Sequence, residues 1–343
     1  MVWDIQELPQ LKGYTVEWAE AGKYYLSHRN QIFTSETLTP PFKLIAEIDA
    51  PSWKRLASNF RLAQRLLRFM VTNVVDLDEE MFVTFDKTTG VIRNGKFLLL
   101  GGLARPCRVL RFGCAIDQNG DVFFGEYLAN TEKGEMRIYR YKAGSNAVEV
   151  AYAFPSGAIR HIHGIYFDEF TRSLLCLTGD ADSECRILRS FDGFQTLETI
   201  GEGDESWRAV STLFDEENFY YGTDAEYKNN ELFSVNRENL ARTNIGSVNG
   251  TVFYSKRLGS DLFFATTAEN APSQEENVAS LWHVDEARNC EKLVSFPKDL
   301  WHPSLFMFGT IHFPYKNAFS DRLFFSLVGV KGDNRTFCVN KRG

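Results

Sequence analysis

The chain has 343 residues, of which 44% are hydrophobic and 14% aromatic, a globular composition that can bury a core without metal or disulfide. Its net charge of −7 argues against nucleic acid as the main partner and against general adhesion to anionic lipid. The first residues carry no secretory signal, no apolar run has membrane-spanning length, and no pair of the six cysteines has metal-site spacing. These features predict a soluble, cytoplasmic protein with reduced thiols.

One short pattern recurs seven times: a polar residue, three apolar or aromatic residues and usually a small one. The copies begin at Lys23, Glu80, Asp121, Ser173, Asn218, Asp261 and Arg322. Each run reads as a buried strand flanked by shorter strands, and four antiparallel strands repeated in this way are typical of a β-propeller blade. The sequence predicts an all-β, single-domain propeller over residues 1–343, with seven blades, or six if a terminal unit is incomplete. One terminal segment should complete a blade begun at the other end, because an open ring leaves unpaired edges.

Residues 49–70 break this pattern, because their apolar residues follow helical spacing. They predict one amphipathic helix inserted between blades 1 and 2. Its predicted buried residues are Trp53, Leu56, Phe60 and Leu67, and its predicted exposed residues are Arg61, Arg65 and Arg68. The basic stripe is either a solvated face or a docking surface for an acidic partner or a membrane surface.

A second local motif lies in the fourth unit, where residues 190–197 read SFDGFQTL. This stretch resembles the Asp-box of sialidase-like (BNR-repeat) propellers, with the glycine shifted by one and Leu197 in place of the closing Trp. The resemblance implies a turn between the third and fourth strands of a blade, remote from the active face. Proteins with such boxes are often carbohydrate-active, which is an association only.

The strand order also predicts where a ligand site lies. Loops that enter the innermost strand of a blade and loops that leave its second strand meet at one mouth of the central channel. Polar residues occur at these positions in successive blades, as a polar ligand requires. They are Glu126, Tyr127, Asp180 and Asp224 after second strands, and Arg111, His161, His163, Trp207 and Arg208 before or at the start of first strands.

The His161-Ile162-His163 triplet is the most distinctive of these features. Alternation along a strand places both imidazoles on one side of the chain. They are two ligands of a divalent metal, a general base with its partner, or two packed and hydrogen-bonded side chains.

These residues predict that the mouth binds or processes an anionic oligosaccharide or polysaccharide. If the protein is an enzyme, we expect a glycoside hydrolase or a polysaccharide lyase. In that hypothesis His161 or His163 is the base, Glu126 or Asp180 is the acid or orienting group, and Arg208 clamps a carboxylate. The further substrate contacts are Trp207, Asp224, Tyr127 and Arg111. The alternative is a non-catalytic propeller that holds a protein partner. A deep polar mouth would favour ligand chemistry, and a flat apolar surface would favour a protein partner.

Overall fold

A computed structural model describes residues 2–342, which form seven antiparallel sheets around a central channel. Each of the seven repeated runs is the second strand of its own sheet, counted from the channel. The seven-bladed propeller is therefore confirmed, and the six-bladed alternative is wrong. All six cysteines are free thiols. No helix within the described residues is long and apolar enough to cross a membrane.

The strands follow one another blade by blade. The first strand is β1 (Val2–Glu7), and a 3-10 helix covers Pro9–Leu11. Blade 1 contains β2 (Thr15–Glu20), β3 (Lys23–His28), β4 (Gln31–Ser35) and β5 (Lys43–Glu47). Blade 2 contains β6 (Val71–Asp76), β7 (Met81–Phe85), β8 (Thr88–Arg93) and β9 (Lys96–Leu99). Blade 3 contains β10 (Cys114–Ile116), β11 (Val122–Gly125), β12 (Met136–Tyr141) and β13 (Val148–Phe154).

The remaining blades repeat this order. Blade 4 contains β14 (His161–Asp168), β15 (Ser173–Gly179), β16 (Arg186–Ser190) and β17 (Glu198–Glu202). Blade 5 contains β18 (Ala209–Phe214), β19 (Asn218–Thr223), β20 (Asn230–Asn236) and β21 (Arg242–Val248). Blade 6 contains β22 (Val252–Leu258), β23 (Asp261–Thr266), β24 (Val278–Val284) and β25 (Cys290–Pro297). The last strands are β26 (Thr310–His312), β27 (Lys316–Asn317), β28 (Arg322–Val328) and β29 (Thr336–Arg342). Short 3-10 helices cover Asp182–Glu184 and Glu205–Trp207.

Blade 7 combines both ends of the chain. It contains β26, β28 and β29, and β1 is its outermost strand. β1 runs antiparallel to β29, with Ile5 opposite Val339. The short strand β27 pairs in parallel with β2 at the inner edge of blade 1. The predicted completion of a blade by a terminal segment is confirmed, and it removes the unpaired edges that an open ring would have.

The innermost strands of five blades share an irregularity near their first residues. The register shifts in the strand pairs β2–β3, β6–β7, β14–β15, β18–β19 and β22–β23. A bulge leaves an extra residue unpaired and turns its side chain. Side chains at these shifts, including Thr72, His163, Val210 and Phe253, line the cavities at one end of the channel.

The segment between blades 1 and 2 forms two short helices rather than the single helix predicted over 49–70. These are α1 (Ser52–Ala57) and α2 (Arg61–Leu66), separated by Phe60 in an extended conformation. A third short helix, α3 (Pro303–Phe306), lies between blades 6 and 7 and contacts α2. The three helices border the same mouth of the channel, because chain segments that connect one blade to the next enter innermost strands.

The predicted polarity of this insertion is wrong for four residues, whereas Leu67 is partly buried against the core as expected. Trp53, Leu56 and Phe60 are largely exposed, whereas only 1% of Arg65 is exposed. Arg65 donates to the carbonyl of Phe306 (2.7 Å) and pairs with Asp299 and Asp333. Carboxylates from the last two blades therefore draw this arginine inwards, because a buried guanidinium is tolerated only where its charge and donors are satisfied.

The basic stripe, for which the sequence left a solvated face and a docking surface as alternatives, is largely engaged within the molecule. Arg61 pairs with Asp333 (2.9 Å), Arg55 with Glu47 (3.0 Å), and Lys54 lies 3.9 Å from Asp86. The insertion is thus attached to the ring by these ion pairs as well as by the apolar side chains of Leu67 and Phe69.

The segment that resembles an Asp-box forms the turn between β16 and β17, the third and fourth strands of blade 4. Asp192 accepts hydrogen bonds from the backbone N–H and the hydroxyl of Thr196 (2.9 and 2.7 Å). Phe194 is fully buried against Phe123 of blade 3. The motif stabilises a turn and the contact between two blades.

We expect Arg65→Gln to lower the free energy of unfolding by about 2–4 kcal/mol, because it removes a buried charge paired with both Asp299 and Asp333, which keep only Lys298 and Arg61. Phe60→Ser should change it by less than about 0.5 kcal/mol, because this phenylalanine is 74% exposed. Urea denaturation of both variants measures the difference. A larger loss in Phe60→Ser than in Arg65→Gln would contradict this account of the insertion.

Candidate functional site

A polar cavity of about 330 Å³ opens at the predicted mouth. Because β14 and β15 run antiparallel, the first residue of β14, His161, lies opposite the last residue of β15, Gly179. The same relation holds in blades 5 and 6, so residues far apart in sequence meet at this end. The polar and charged side chains that line the cavity are Tyr127, His161, His163, Asp180, Arg208, Asp224, Glu226, Thr251, Glu269 and Asn270.

Three of these residues converge closely enough to share one cation. A ligating atom from each of His161, His163 and Asp180 lies within 4.8 Å of the other two. Nε2 of His161 lies 3.3 Å from Oδ1 of Asp180, and Nε2 of His163 lies 3.7 Å from the same oxygen. Exposed fractions are only 7% for His161 and 3% for His163. Two imidazoles and a carboxylate in this arrangement are a donor set that suits divalent transition metals.

His163 owes its orientation to the bulge in β14. Ile162 pairs with Thr178 and Gly164 pairs with Leu177, which leaves His163 as the extra residue. Its Nδ1 lies 2.9 Å from the carbonyl oxygen of Ala209 and donates to it, so Nε2 carries the lone pair in the neutral ring. Burial lowers the pKa of His163, which favours that neutral form. The ring is thus held in the tautomer that a metal ligand needs.

His161 differs from His163 because neither of its ring nitrogens has a partner in hydrogen-bonding geometry among residues 2–342, although Nε2 lies 3.3 Å from Asp180. Its ring packs against Tyr127, with 4.4 Å between ring centroids. Buried polar atoms in folded proteins are nearly always hydrogen-bonded, to protein or to water or a ligand. A buried imidazole without a hydrogen bond, beside His163 and Asp180, is therefore a candidate ligand for a bound group.

Asp180 follows β15 in a backbone conformation with φ of 124°, which residues other than glycine rarely adopt. Burial by itself would raise the pKa of Asp180, but contacts with both histidines outweigh it and hold that pKa below its usual range. Nη2 of Arg208 also lies 3.3 Å from Oδ1 of Asp180. The carboxylate is therefore ionised and fixed in place.

Arg208 is already engaged by acidic side chains. Its Nε donates to Asp224 (2.9 Å), and its other nitrogens lie near Asp180 and Glu205. Burial raises the pKa of Asp224 to about 8 despite this contact, and burial also raises the pKa of Glu269. Four carboxyl side chains but only one arginine line the cavity, so its composition favours a bound cation.

Six of the nine predicted site residues lie in this cavity: His161, His163, Asp180, Arg208, Asp224 and Tyr127. The structure places the other three elsewhere. Glu126 is fully buried and accepts hydrogen bonds from Arg105 (2.6 Å) and Tyr139 (3.0 Å).

Trp207 and Arg111 also have structural surroundings. Trp207 stacks on Tyr221, and the guanidinium of Arg242 lies 4.2 Å from its ring. Arg111 donates to the buried Glu17 (2.8 Å) and lines a neighbouring cavity. All three side chains are thus engaged in contacts within or between blades.

Sequence reasoning gave no role to Phe253 and Phe308, which form apolar walls of the cavity. Phe253 is the unpaired residue at the shift in β22, and Phe308 precedes the innermost strand of blade 7. Their positions depend on bulges and on a long connection, for which the sequence carries no local signal.

Gly179 leaves the space that His163 and Arg208 occupy, because a Cβ atom there would lie 2.9 Å from each side chain. We expect Gly179→Ala to displace one of them and to cost about 1–3 kcal/mol of stability. Histidine side-chain NMR should show shifted resonances for His163 and unchanged ones for His28. Gly101→Ala is the control, because the nearest atom there is 3.8 Å away. Unchanged His163 resonances in Gly179→Ala would contradict the close contact.

No protein-family model matches the chain, and no curated protein sequence matches it. The fold resembles several solved structures at 9–10% sequence identity, each aligned over 99% of this chain. An extracellular domain from B. thetaiotaomicron, described as part of a one-component system, has a TM-score of 0.61, and the chain spans 40% of its length. An oligogalacturonate lyase in complex with manganese has a TM-score of 0.63 over 91% of its length. A chain of the mitotic checkpoint complex has a TM-score of 0.57 over 93% of its length. At these identities the likeness shows the propeller fold alone.

Proposed function

We propose that the cavity binds a uronate-containing oligosaccharide together with a divalent transition-metal cation and cleaves the sugar chain by β-elimination. The observation that carries this proposal is the convergence of His161, His163 and Asp180, with the His161 imidazole unpartnered. The deep polar mouth favours ligand chemistry over a protein-binding scaffold.

The residues present fit a divalent cation. His161, His163 and Asp180 would hold it, and three protein ligands leave coordination positions for ligand oxygens. The carbonyl of Ala209 orients His163, and Arg208 orients Asp180, so two of the three ligands have supporting contacts. The metal role therefore accounts for the imidazole pair better than proton transfer does, because it explains why His161 lacks a partner.

In β-elimination, a base removes the proton next to the uronate carboxyl group and the bond from the adjacent ring carbon to the leaving oxygen breaks. A carbon–carbon double bond forms in the sugar, and the leaving oxygen gains a proton. A bound divalent cation supplies a Lewis acid that withdraws charge from the uronate carboxylate and so acidifies that proton.

Glu269 is our choice for the base. Hydroxyl groups of Thr251 and Thr267 hold its Oε1, whereas Oε2 has no hydrogen-bond partner among the described residues. Burial raises the pKa of this carboxyl group, which makes its ionised form a stronger base than an exposed glutamate. Asp224 lines the same cavity but is tied to Arg208.

Among the propellers with a similar fold, one is an oligogalacturonate lyase with bound manganese. Trigalacturonate and Mn²⁺ are therefore the first probes. We expect the protein to bind Mn²⁺ in equilibrium dialysis and to form an unsaturated product from trigalacturonate, detected by ultraviolet absorbance. Asp180→Asn and His163→Ala should weaken Mn²⁺ binding by about 100-fold or more and abolish turnover. Glu269→Gln should abolish turnover and keep Mn²⁺ binding.

His28→Asn is the matched control, because His28 ends the second strand of blade 1 and its Nδ1 hydrogen-bonds the carbonyl of Gly13 (2.8 Å) outside the cavity. It should bind Mn²⁺ and turn over like the unaltered protein. New reducing ends without ultraviolet absorbance would indicate hydrolysis and overturn the lyase proposal. Equal Mn²⁺ binding by His163→Ala and His28→Asn would overturn the metal site.

A further inference from the structure

A second cavity of about 200 Å³ adjoins the metal-site cavity. The two cavities share five lining residues: Leu110, Tyr127, Val210, Phe253 and Phe308. The charged groups differ between them. Carboxyl groups and imidazoles dominate the first, whereas Arg68, Arg108 and Arg111 line the second, with Asp86 as its one carboxylate.

Two of these three arginines already have acidic partners. Arg111 is paired with Glu17, and Arg108 contacts Asp86 through Nε and Nη2 (3.0 and 2.9 Å). Asp86 also lies 3.9 Å from Lys54, so it faces two cations. Asp86 also attracts Arg68 electrostatically, but it makes no hydrogen bond or salt bridge with it.

Arg68 is half-buried, and within residues 2–342 its guanidinium has no hydrogen-bond or salt-bridge partner. Burial, and to a smaller extent the neighbouring Arg108, lower the pKa of Arg68, and the attraction of Tyr127 and Asp86 does not offset them. Guanidinium groups in such surroundings bind oxyanions through paired N–H donors. The unsatisfied charge faces a cavity large enough for a ligand group.

The backbone of Arg68 points to the same conclusion. Arg68 follows the end of α2 with φ of 54°, and Phe69 donates to the carbonyl of Gln64 (2.7 Å). Glycine is the residue that favours this position after a helix, because other residues are strained there. An arginine at a strained position beside a ligand cavity is consistent with a side chain retained for binding.

We infer that Arg68, with the positive charge of Arg108 beside it, forms an anion subsite for an oxyanion on a second sugar residue, which is a carboxylate in a uronate chain. This inference rests on the proposed function and deepens it. The ligand is an oligomer with acidic groups on at least two residues, one at the metal-site cavity and one at Arg68. Arg208, predicted from sequence to clamp a carboxylate, already has its acidic partners, so Arg68 is the better candidate for this role.

Inorganic sulfate tests the subsite without any sugar. We expect calorimetry to show sulfate binding to the unaltered protein and a loss of about tenfold or more in affinity for Arg68→Gln. Arg55→Gln is the matched control, because it removes one positive charge from the same insertion at an exposed position. It should bind sulfate within about twofold of the unaltered protein. Arg68→Gly should lose binding equally without a lower melting temperature, because glycine fits the backbone conformation.

Three results would overturn the inference: the unaltered protein does not bind sulfate, Arg68→Gln binds it with unchanged affinity, or Arg55→Gln loses as much affinity as Arg68→Gln. Sugar ligands separate it from the proposed function. Arg68→Gln should weaken trigalacturonate binding and leave monogalacturonate binding unchanged. If the sulfate result holds but no uronate binds, the proposed function fails and the anion subsite stands. If metal-dependent turnover persists and Arg68→Gln binds trigalacturonate normally, the subsite fails and the proposed function stands.

Discussion

Pairing between the first and last strands holds the ring closed, and the composition of the mouth depends on that closure. β1 supplies the outer strand of blade 7, and β27 ties the same region to blade 1. A closed ring fixes the radial position of every blade, so the ends of seven innermost strands face one channel. Tyr127, Asp180, Asp224 and Glu269 come from four blades and meet in one cavity only because of this geometry.

The charges at the mouth divide into satisfied and unsatisfied groups. Burying a charge is costly unless it is paired, and the Glu17–Arg111 and Arg208–Asp224 pairs meet that requirement. The imidazole of His161 and the guanidinium of Arg68 lack such partners in the described chain. They lie in adjoining cavities of opposite charge, the first suited to a metal cation and the second to an anion. This division is the physical basis on which we propose a ligand that carries several acidic groups.

The insertion between blades 1 and 2 connects ring stability to the site. Arg65 is buried against Asp299 and Asp333 and so fixes α2 beside α3. The same helix ends at Arg68, whose side chain lines the second cavity. Helical spacing predicted the opposite polarity, since a hydrophobic stripe usually faces the core. Here the surface beneath the helices carries carboxylates, and electrostatic pairing determines which face is turned inwards.

The sequence by itself determined the seven blades and the second strand of each, because the pattern of a buried strand is local and repeats in every blade. It also determined that a terminal strand completes the last blade, because an open ring would leave strand edges unpaired. It also identified six residues of the cavity, because loop positions in a propeller follow from strand order. It could not show that Glu126, Trp207 and Arg111 are engaged by Arg105, Tyr221 and Glu17, since those contacts join distant segments. Only the tertiary structure decided the bulge that orients His163, the inversion of the helices and the unpaired state of Arg68. Each of these depends on side chains from other blades, whose positions local spacing does not encode.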